Sequence, residues 1–325
     1  MSALPRVGFV GAGVMGLPMA RRLLAAGHRL LVHARTPAKV AALTEAGAEL
    51  VETPAQLAAD SDVIIGCLLD EKAVQEVYLG QDGIIAAVHA GHLLVEHGTF
   101  APRVARGLAE QAADRGAGFV DAPVTGGPQR AHSGKLTCMA GGRTEHFEAA
   151  RPLLAAYCRE IIHVGPVGAG LELKLVNQLL VSVHVAAAAE AAALMDRLGL
   201  PVELAKRVLM SGWAASAMLD YCLPAALTPS AAPTGATIGG LSAVQDAVDE
   251  VSSALDLPLR VFPAARQIFT RLTDAGAGGR DIAQLARAYD REHSAHVPHA
   301  PHTSHAPHAP AHAPAHAPSS TVEAN

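Results

Sequence analysis

Short runs of valine, isoleucine and leucine, separated by alanine-rich segments with apolar residues at helical spacing, fill the first half of the chain. The candidate strands are Val7–Val10, Leu30–His33, Asp62–Cys67, Leu93–Glu96, Gly118–Asp121, Leu136–Met139 and Ile161–Val164. Strands alternating with helices predict βαβ units and a doubly wound parallel sheet covered on both faces. Past Gly165 the strand signal stops and helical patterns run to about Glu292. The longest helix ends at Gly199-Leu200-Pro201, because proline cannot continue it. The fold class expected is therefore α/β, with a dinucleotide-sized doubly wound domain over residues 1–164 and an all-α domain over residues 165–292. From His293 to Asn325 histidine, alanine and proline dominate, too little apolar surface to fold, so residues 293–325 are expected to form a disordered tail. His293, His296, His299, His302, His305 and His308 recur every third residue. In a polyproline II helix successive rings would stand roughly 9 Å apart, too far to share one ion, so no metal site is predicted.

Composition narrows the partners. The chain has 325 residues, enough for two cores, and carries a formal charge of -5 with no dense basic cluster, which argues against nucleic acid and toward small molecules. Cys67, Cys138, Cys158 and Cys222 form no CxxC and no zinc spacing, the usage of reduced thiols in a cytoplasmic protein. Met1 to Pro5 leads directly into a strand, without the basic and apolar regions of a secretory signal. The apolar stretch Gly168 to Met195 is interrupted by Asn177, Gln178, Ser182 and His184, too polar for a lone membrane span, so no membrane partner is expected.

The first chemical signal is Gly11-Ala12-Gly13-Val14-Met15-Gly16, which follows the first strand and opens a helix. That context makes GxGxxG a Rossmann-type dinucleotide turn: Gly11 permits the bend, Gly13 lets backbone N–H groups approach a pyrophosphate, and Gly16 lets helix and strand pack closely. The helix N-terminus adds a field favourable to phosphates. At the end of the second strand, where an acidic residue would bind the ribose hydroxyls of NAD, the chain reads His33-Ala34-Arg35-Thr36. Arg35 suits a 2′-phosphate through paired hydrogen bonds, so NADP(H) is the expected cofactor and NAD the alternative.

The second signal is Lys174, the one cation in the helix before Arg197. Desolvation favours the neutral amine, which lowers its pKa and suits it to proton transfer near neutrality. Asn177 and Gln178, three and four residues on, share its face. A lysine snorkelling its ammonium to solvent is the plainer alternative. The third signal, Asp121-Ala-Pro-Val-Thr125-Gly126-Gly127, places two glycines after a hydroxyl residue and offers unobstructed backbone donors to a carboxylate.

Taken together, GFVGAGVMGLPMARRLL, the region Asp121 to Gly142, and Gly168-Ala-Gly-Leu-Glu-Leu-Lys174-Leu-Val-Asn177-Gln178 resemble the three ordered signatures of the β-hydroxyacid dehydrogenases. That group contains 3-hydroxyisobutyrate dehydrogenase, tartronate semialdehyde reductase and the threonate-type dehydrogenases of four-carbon sugar acids. The resemblance spans about Val7 to Asp290. It implies an enzyme that moves a hydride between nicotinamide and a small hydroxyacid or its semialdehyde, while the apolar breadth of the Lys174 helix suggests burial on more than one side and hence a homodimer or homotetramer. It also implies Lys174 as the catalytic lysine, Asn177 as its companion in orienting substrate, Thr125, Gly126, Gly127 and Gln178 as substrate contacts, and Thr99 beside the nicotinamide. Leu68, Leu69 and Gln245 complete the implied cofactor contacts. The segment from Val176 to Glu190 is most similar to the threonate-type and tartronate semialdehyde branches. Three positions depart from the pattern: Gln245 where a lysine is usual, Arg130 for a glycine, and Gly98 for a serine. Val181 occupies the place of the glutamate that phosphogluconate enzymes use, which argues against decarboxylation. Imine reductases share the cofactor signature but usually replace the lysine and lack the carboxylate loop. A dinucleotide-binding scaffold without catalysis is the reading from a different class. Trp213 is expected to border the pocket or the core, and His184 to be a core histidine.

Overall fold

The computed structural model describes residues 4–226 and 236–290. The histidine-rich tail and the end of the expected all-α domain at Glu292 lie outside the described residues. Nine strands form one sheet: β1 (Val7–Val10), β2 (Leu30–His33), β3 (Glu49–Leu50), β4 (Val63–Gly66), β5 (Leu93–Glu96), β6 (Gly118–Asp121), β7 (Val124–Thr125), β8 (Leu136–Gly142) and β9 (Cys158–Gly165). The order β3-β2-β1-β4-β5-β6 is wholly parallel, and the chain reverses direction of winding between β1 and β4, the place where such sheets open a ligand crevice. β8 joins antiparallel, pairing with β6 at Gly141 and Gly142 and with β7 at Thr137 and Cys138, while β9 lies parallel along it. β6 and β7 therefore flank the same edge of β8, separated by Ala122 and Pro123.

Every residue of β1, β4, β5 and β6 is buried, as expected of strands covered on both faces. One apolar layer packs Met19 and Leu23 of α1 (Gly16–Ala25) and Phe147 and Leu154 of α8 (Thr144–Leu154) against one face, reached after several intervening helices. The opposite layer seats Leu57, Val74, Tyr78, Val104 and Leu108 from α3 (Pro54–Ala59), α4 (Glu71–Leu79) and α6 (Pro102–Ala113). Between these along the chain lie the one-turn helices α2 (Ala41–Thr44) and α5 (Ile84–Ala87), and α7 (Gly127–His132) starts at the last glycine of Thr125-Gly126-Gly127. Local chemistry starts several of them: Thr53 and Asp70 accept hydrogen bonds from Gln56 N and Ala73 N as helix caps.

The second half is helical. α9 (Ala169–Leu198) runs for thirty residues and packs against α11 (Ala217–Ala226), α12 (Ile238–Ala254) and α13 (Phe262–Leu272), with α10 (Val202–Met210) outside them and a 3-10 segment at Ile282–Tyr289 closing the bundle. Gly199, in the left-handed region at φ 65°, ends α9 as the Gly-Leu-Pro signal requires. The sequence reading misses β3 and β7, each two residues long, and shortens β8 and β9. Runs that brief carry no periodicity of their own, and sheet pairing rather than pattern creates them.

Candidate active site

The glycine turn sits at the carboxyl end of β1. Gly11 has φ 82°, and a Cβ there would lie 2.3 Å from the Cys67 carbonyl oxygen, so neither the conformation nor the space admits a side chain. A Cβ on Gly16 would meet the Gly11 carbonyl oxygen of the turn at 2.2 Å and the Phe9 ring of β1 at 3.0 Å, the close packing of helix on strand and turn that the motif implies. At Gly13 a Cβ would touch nothing within 4 Å, which leaves its backbone open to a ligand approaching the start of α1. Val14 is exposed and Ala12 and Met15 half-buried. These residues fit a dinucleotide pyrophosphate: open backbone at a helix N-terminus, with no side chain in the way.

Around the turn the strand ends are tied together by an acid the sequence reading left without a role. Glu96, at the end of β5, is 1% exposed, accepts hydrogen bonds from Gly98 N at 2.7 Å and Leu68 N at 3.3 Å, and takes the Tyr78 hydroxyl hydrogen at 2.8 Å. Burial pushes its carboxyl up to about 7, against the pull of those donors. One side chain thus holds the Leu68 loop and the Gly98-Thr99 loop at the same edge. A Cβ on Gly66 would lie 1.9 Å from Glu96 Oε2, so glycine there makes room for the longer acid. Leu68 is buried, Leu69 is exposed, and Thr99 is half-buried. Next to Glu96, His97 is buried with Nδ1 2.5 Å from the Ala122 carbonyl and Nε2 2.9 Å from the Tyr157 hydroxyl. A carbonyl only accepts, so Nδ1 carries the hydrogen, and burial lowers the ring to about 4, keeping it neutral.

The lysine, on α9, lies against the segment that leads from β6 into β7. Lys174 is 8% exposed and its ammonium donates to the Val124 carbonyl at 2.9 Å. Burial, with no paired acid, brings it down from 10.5 to about 8. The snorkelling alternative does not describe this side chain. Val124 immediately precedes Thr125, Gly126 and Gly127, so the amine and the candidate carboxylate loop share one short segment. Gly126 and Gly127 have φ of 129° and 72°, conformations that favour glycine. Asn177 and Gln178 are half-buried on α9 and bond to each other, Asn177 Nδ2 to Gln178 Oε1 at 2.9 Å.

Other expected residues fall elsewhere. Gln245 has no exposed surface; its amide NH₂ donates from α12 to Ser182 of α9 at 3.0 Å, and its amide oxygen is buried without a hydrogen-bond partner. Trp213 is fully exposed rather than in the core, and His184 is exposed rather than a core histidine. Both lie on parts of the helical half that the chain itself leaves uncovered. Arg35 and Thr36 are exposed at a depression of about 450 Å³ lined by His33, Ala34, Arg35, Pro37, Leu50, Val51 and Glu52. Glu52 is a carboxylate that the sequence reading did not place there. Arg130 is exposed, with its Cδ 2.8 Å from where a Gly126 Cβ would stand. Among the described residues no cluster of three His, Cys, Asp or Glu side chains is arranged to hold a metal ion.

An open glycine turn at the carboxyl end of β1 and a buried lysine beside the glycine loop that follows β6 are the parts a nicotinamide-dependent oxidoreductase requires. Comparison with known proteins agrees. Residues 6–165 match the NAD binding domain of 6-phosphogluconate dehydrogenase, and residues 168–289 match the NAD-binding domain of NADP-dependent 3-hydroxyisobutyrate dehydrogenase. The chain is 35% identical to a 3-hydroxyisobutyrate dehydrogenase of Pseudomonas aeruginosa over 288 residues, covering 88% of this chain and 94% of that protein. It is 32% identical to an L-threonate dehydrogenase of Cupriavidus necator, over 87% of this chain and 95% of that one. Among solved structures, 3-hydroxyisobutyrate dehydrogenase from Salmonella typhimurium superposes with a TM-score of 0.80 at 28% identity, over 87% of this chain and 99% of that one. An imine reductase from Pseudomonas sp., at 23% identity and a TM-score of 0.59, shares the fold alone. The chain belongs to the NAD(P)-binding 3-hydroxyisobutyrate dehydrogenase-like family of β-hydroxyacid dehydrogenases, and is an NAD(P)-dependent oxidoreductase acting on a small β-hydroxyacid or semialdehyde.

Proposed function

We propose that Lys174 is the acid and base of a hydride transfer between NADP(H) and a small hydroxyacid such as 3-hydroxyisobutyrate, a four-carbon sugar acid, or tartronate semialdehyde in the reductive sense. One observation carries the reading: a buried amine, lowered to about 8, beside the Thr125-Gly126-Gly127 loop. In oxidation the neutral amine takes the hydroxyl proton, and in reduction the ammonium returns it to the carbonyl oxygen. The bound nicotinamide supplies the hydride acceptor or donor. Backbone donors at Gly126 and Gly127 with the Thr125 hydroxyl receive the carboxylate, and Asn177 and Gln178 orient the remaining polar group. Gly11 to Gly16 hold the pyrophosphate, Leu68, Leu69 and Thr99 border the ribose and nicotinamide, and Arg35 with Thr36 meets a 2′-phosphate. Arg35 has one ion-pair neighbour, Glu76 at 3.9 Å, and its side chain is 83% exposed, free to turn to a phosphate. The test is a panel of hydroxyacids with NADP⁺ and NAD⁺, read as reduced nicotinamide absorbance. Turnover of a member of this class, faster with NADP⁺, is the expected result; binding of cofactor with no turnover of any acid supports a scaffold instead.

The assembly belongs to the same proposal. Leu173, Val176, Leu180, Leu194 and Leu198 are exposed on α9, and Leu204 and Val208 on α10, a face too apolar to remain wet. We infer that two copies cover it as a homodimer, or four as a homotetramer. Light scattering should return at least twice the chain mass, and Leu204→Glu with Val208→Glu should lower it. Of the described helices α9 alone is long and apolar enough to cross a membrane, yet its window is 39% buried in the bundle. With four free cysteines, this supports a cytoplasmic protein without a membrane partner.

A further inference from the structure

We propose that Asp121 is a positioning residue for Lys174: its carboxylate, held on the sheet, caps the first turn of the helix that carries the amine. The proposal rests on Lys174 being the acid and base.

α9 has no cap of its own. The residue before it is Gly168, at φ 95°, and no side chain from the local sequence accepts from the first turn. Those orphan N–H groups are buried against the end of β6, where a helix terminus without partners is costly. Asp121, with no exposed surface, meets them from 47 and 50 residues away: Oδ1 accepts from Gly168 N at 2.7 Å and Oδ2 from Leu171 N at 2.9 Å. Burial raises the Asp121 carboxyl from 3.8 to about 7, against the pull of these backbone donors, so at the pH where Lys174 loses its proton the carboxylate is ionised. Two glycines make the approach possible. A Cβ on Gly141 would lie 2.5 Å from Asp121 Oδ1 and 2.8 Å from Gly170 N, and one on Gly170 would lie 2.4 Å from the Met139 carbonyl oxygen and 2.8 Å from Asp121 Oδ2.

Lys174 stands one turn past Leu171, and its ammonium bonds the carbonyl of Val124, three residues past Asp121. The segment Asp121 to Val124 thus grips the helix twice, once by its backbone and once by the reactive amine. Loss of the first grip lets the turn lift, admits water to Lys174, and relieves the desolvation that favours its neutral form. Substrate loop and amine then no longer share a fixed separation, and the penalty falls on turnover rather than on cofactor binding.

The test compares wild type with Asp121→Asn, which keeps the shape but sets an amide NH₂ against one of the two backbone donors. The ionisation of Lys174 is read from the pH dependence of its acetylation, followed on the Lys174 peptide by mass spectrometry with NADPH bound, a readout that needs no turnover. The expected result is a midpoint raised by about one unit or more, a tenfold change in the protonation equilibrium, with kcat for hydroxyacid oxidation at least about tenfold lower and NADPH affinity within about twofold. Should that variant fail to fold, Gly170→Ala, which wedges the helix off an intact Asp121, is expected to give the same shifts. An unmoved acetylation midpoint together with unchanged kcat overturns the proposal. A wild type that oxidises no hydroxyacid overturns the functional reading instead, and the acetylation midpoint then still decides the cap.

Discussion

Hydroxyacid oxidation by this protein should switch on as pH rises through about 8, the value to which burial lowers Lys174. A free lysine at 10.5 is neutral in about one molecule in 3000 at pH 7, whereas at about 8 it is neutral in about one in ten, a gain of roughly 300-fold in available base. At about 1.4 kcal/mol per unit, the site withholds about 3 kcal/mol from the charged form. That penalty arises because Lys174 is 8% exposed and faces a carbonyl rather than a carboxylate. The assay is kcat/KM for oxidation between pH 6 and 10 at saturating NADP⁺. It should climb about tenfold per unit below the midpoint and level off above it, while reduction, which needs the ammonium, should fall above the same midpoint. A profile flat across this range, or rising only toward 10.5, would refute the assignment of the amine as base.

Three further outcomes follow from other parts of the site. Arg35→Asp should lower the ratio of NADPH to NADH efficiency by at least about tenfold, since a paired phosphate contact becomes a repulsion; an unchanged ratio removes Arg35 from cofactor choice. Glu96 is raised from 4.5 to about 7, so between those values the folded protein holds a proton that the unfolded chain has released, and wild-type stability falls as pH rises through the window. In urea titrations Glu96→Gln should therefore gain on wild type by about 3 kcal/mol between pH 4 and 8, and a pH-independent difference would show that Glu96 is not shifted. Gly11→Ala, which sets a methyl 2.3 Å from the Cys67 carbonyl, should weaken NADPH binding at least about tenfold in a fluorescence titration or leave the domain unfolded; ordinary affinity would contradict the turn geometry.

Much of the architecture was legible in the order of residues, and the reasons are particular. β1, β4, β5 and β6 are buried on both faces, so their apolar runs are nearly continuous, and Gly11, Gly13 and Gly16 announce the turn by a spacing the geometry demands. Lys174 stood out because an oily helix has few reasons to hold a cation. Glu96 and Asp121 gave no such signal. Each ends an apolar strand and reads in sequence as the polar residue of an ordinary strand terminus; only the fold shows backbone donors converging on each from segments 28 to 50 residues away. Gln245 shows what a position in a pattern leaves out: the resemblance implies a cofactor contact there, and only the packing of α12 on α9 shows its amide NH₂ bonded to Ser182 and its amide oxygen buried without a hydrogen-bond partner. Residue type places Trp213 and His184 in the core or pocket, and their exposure is set by how the helices of the second half pack, which sequence periodicity does not specify.

If Lys174 moves the proton while other groups bind the dinucleotide, Lys174→Ala separates the two most directly, with NADPH affinity measured by fluorescence and oxidation of the best hydroxyacid measured on the same preparation. Affinity within about twofold of wild type with turnover reduced by at least about 1000-fold is the predicted result. Turnover within about tenfold of wild type, with cofactor still bound, would contradict it.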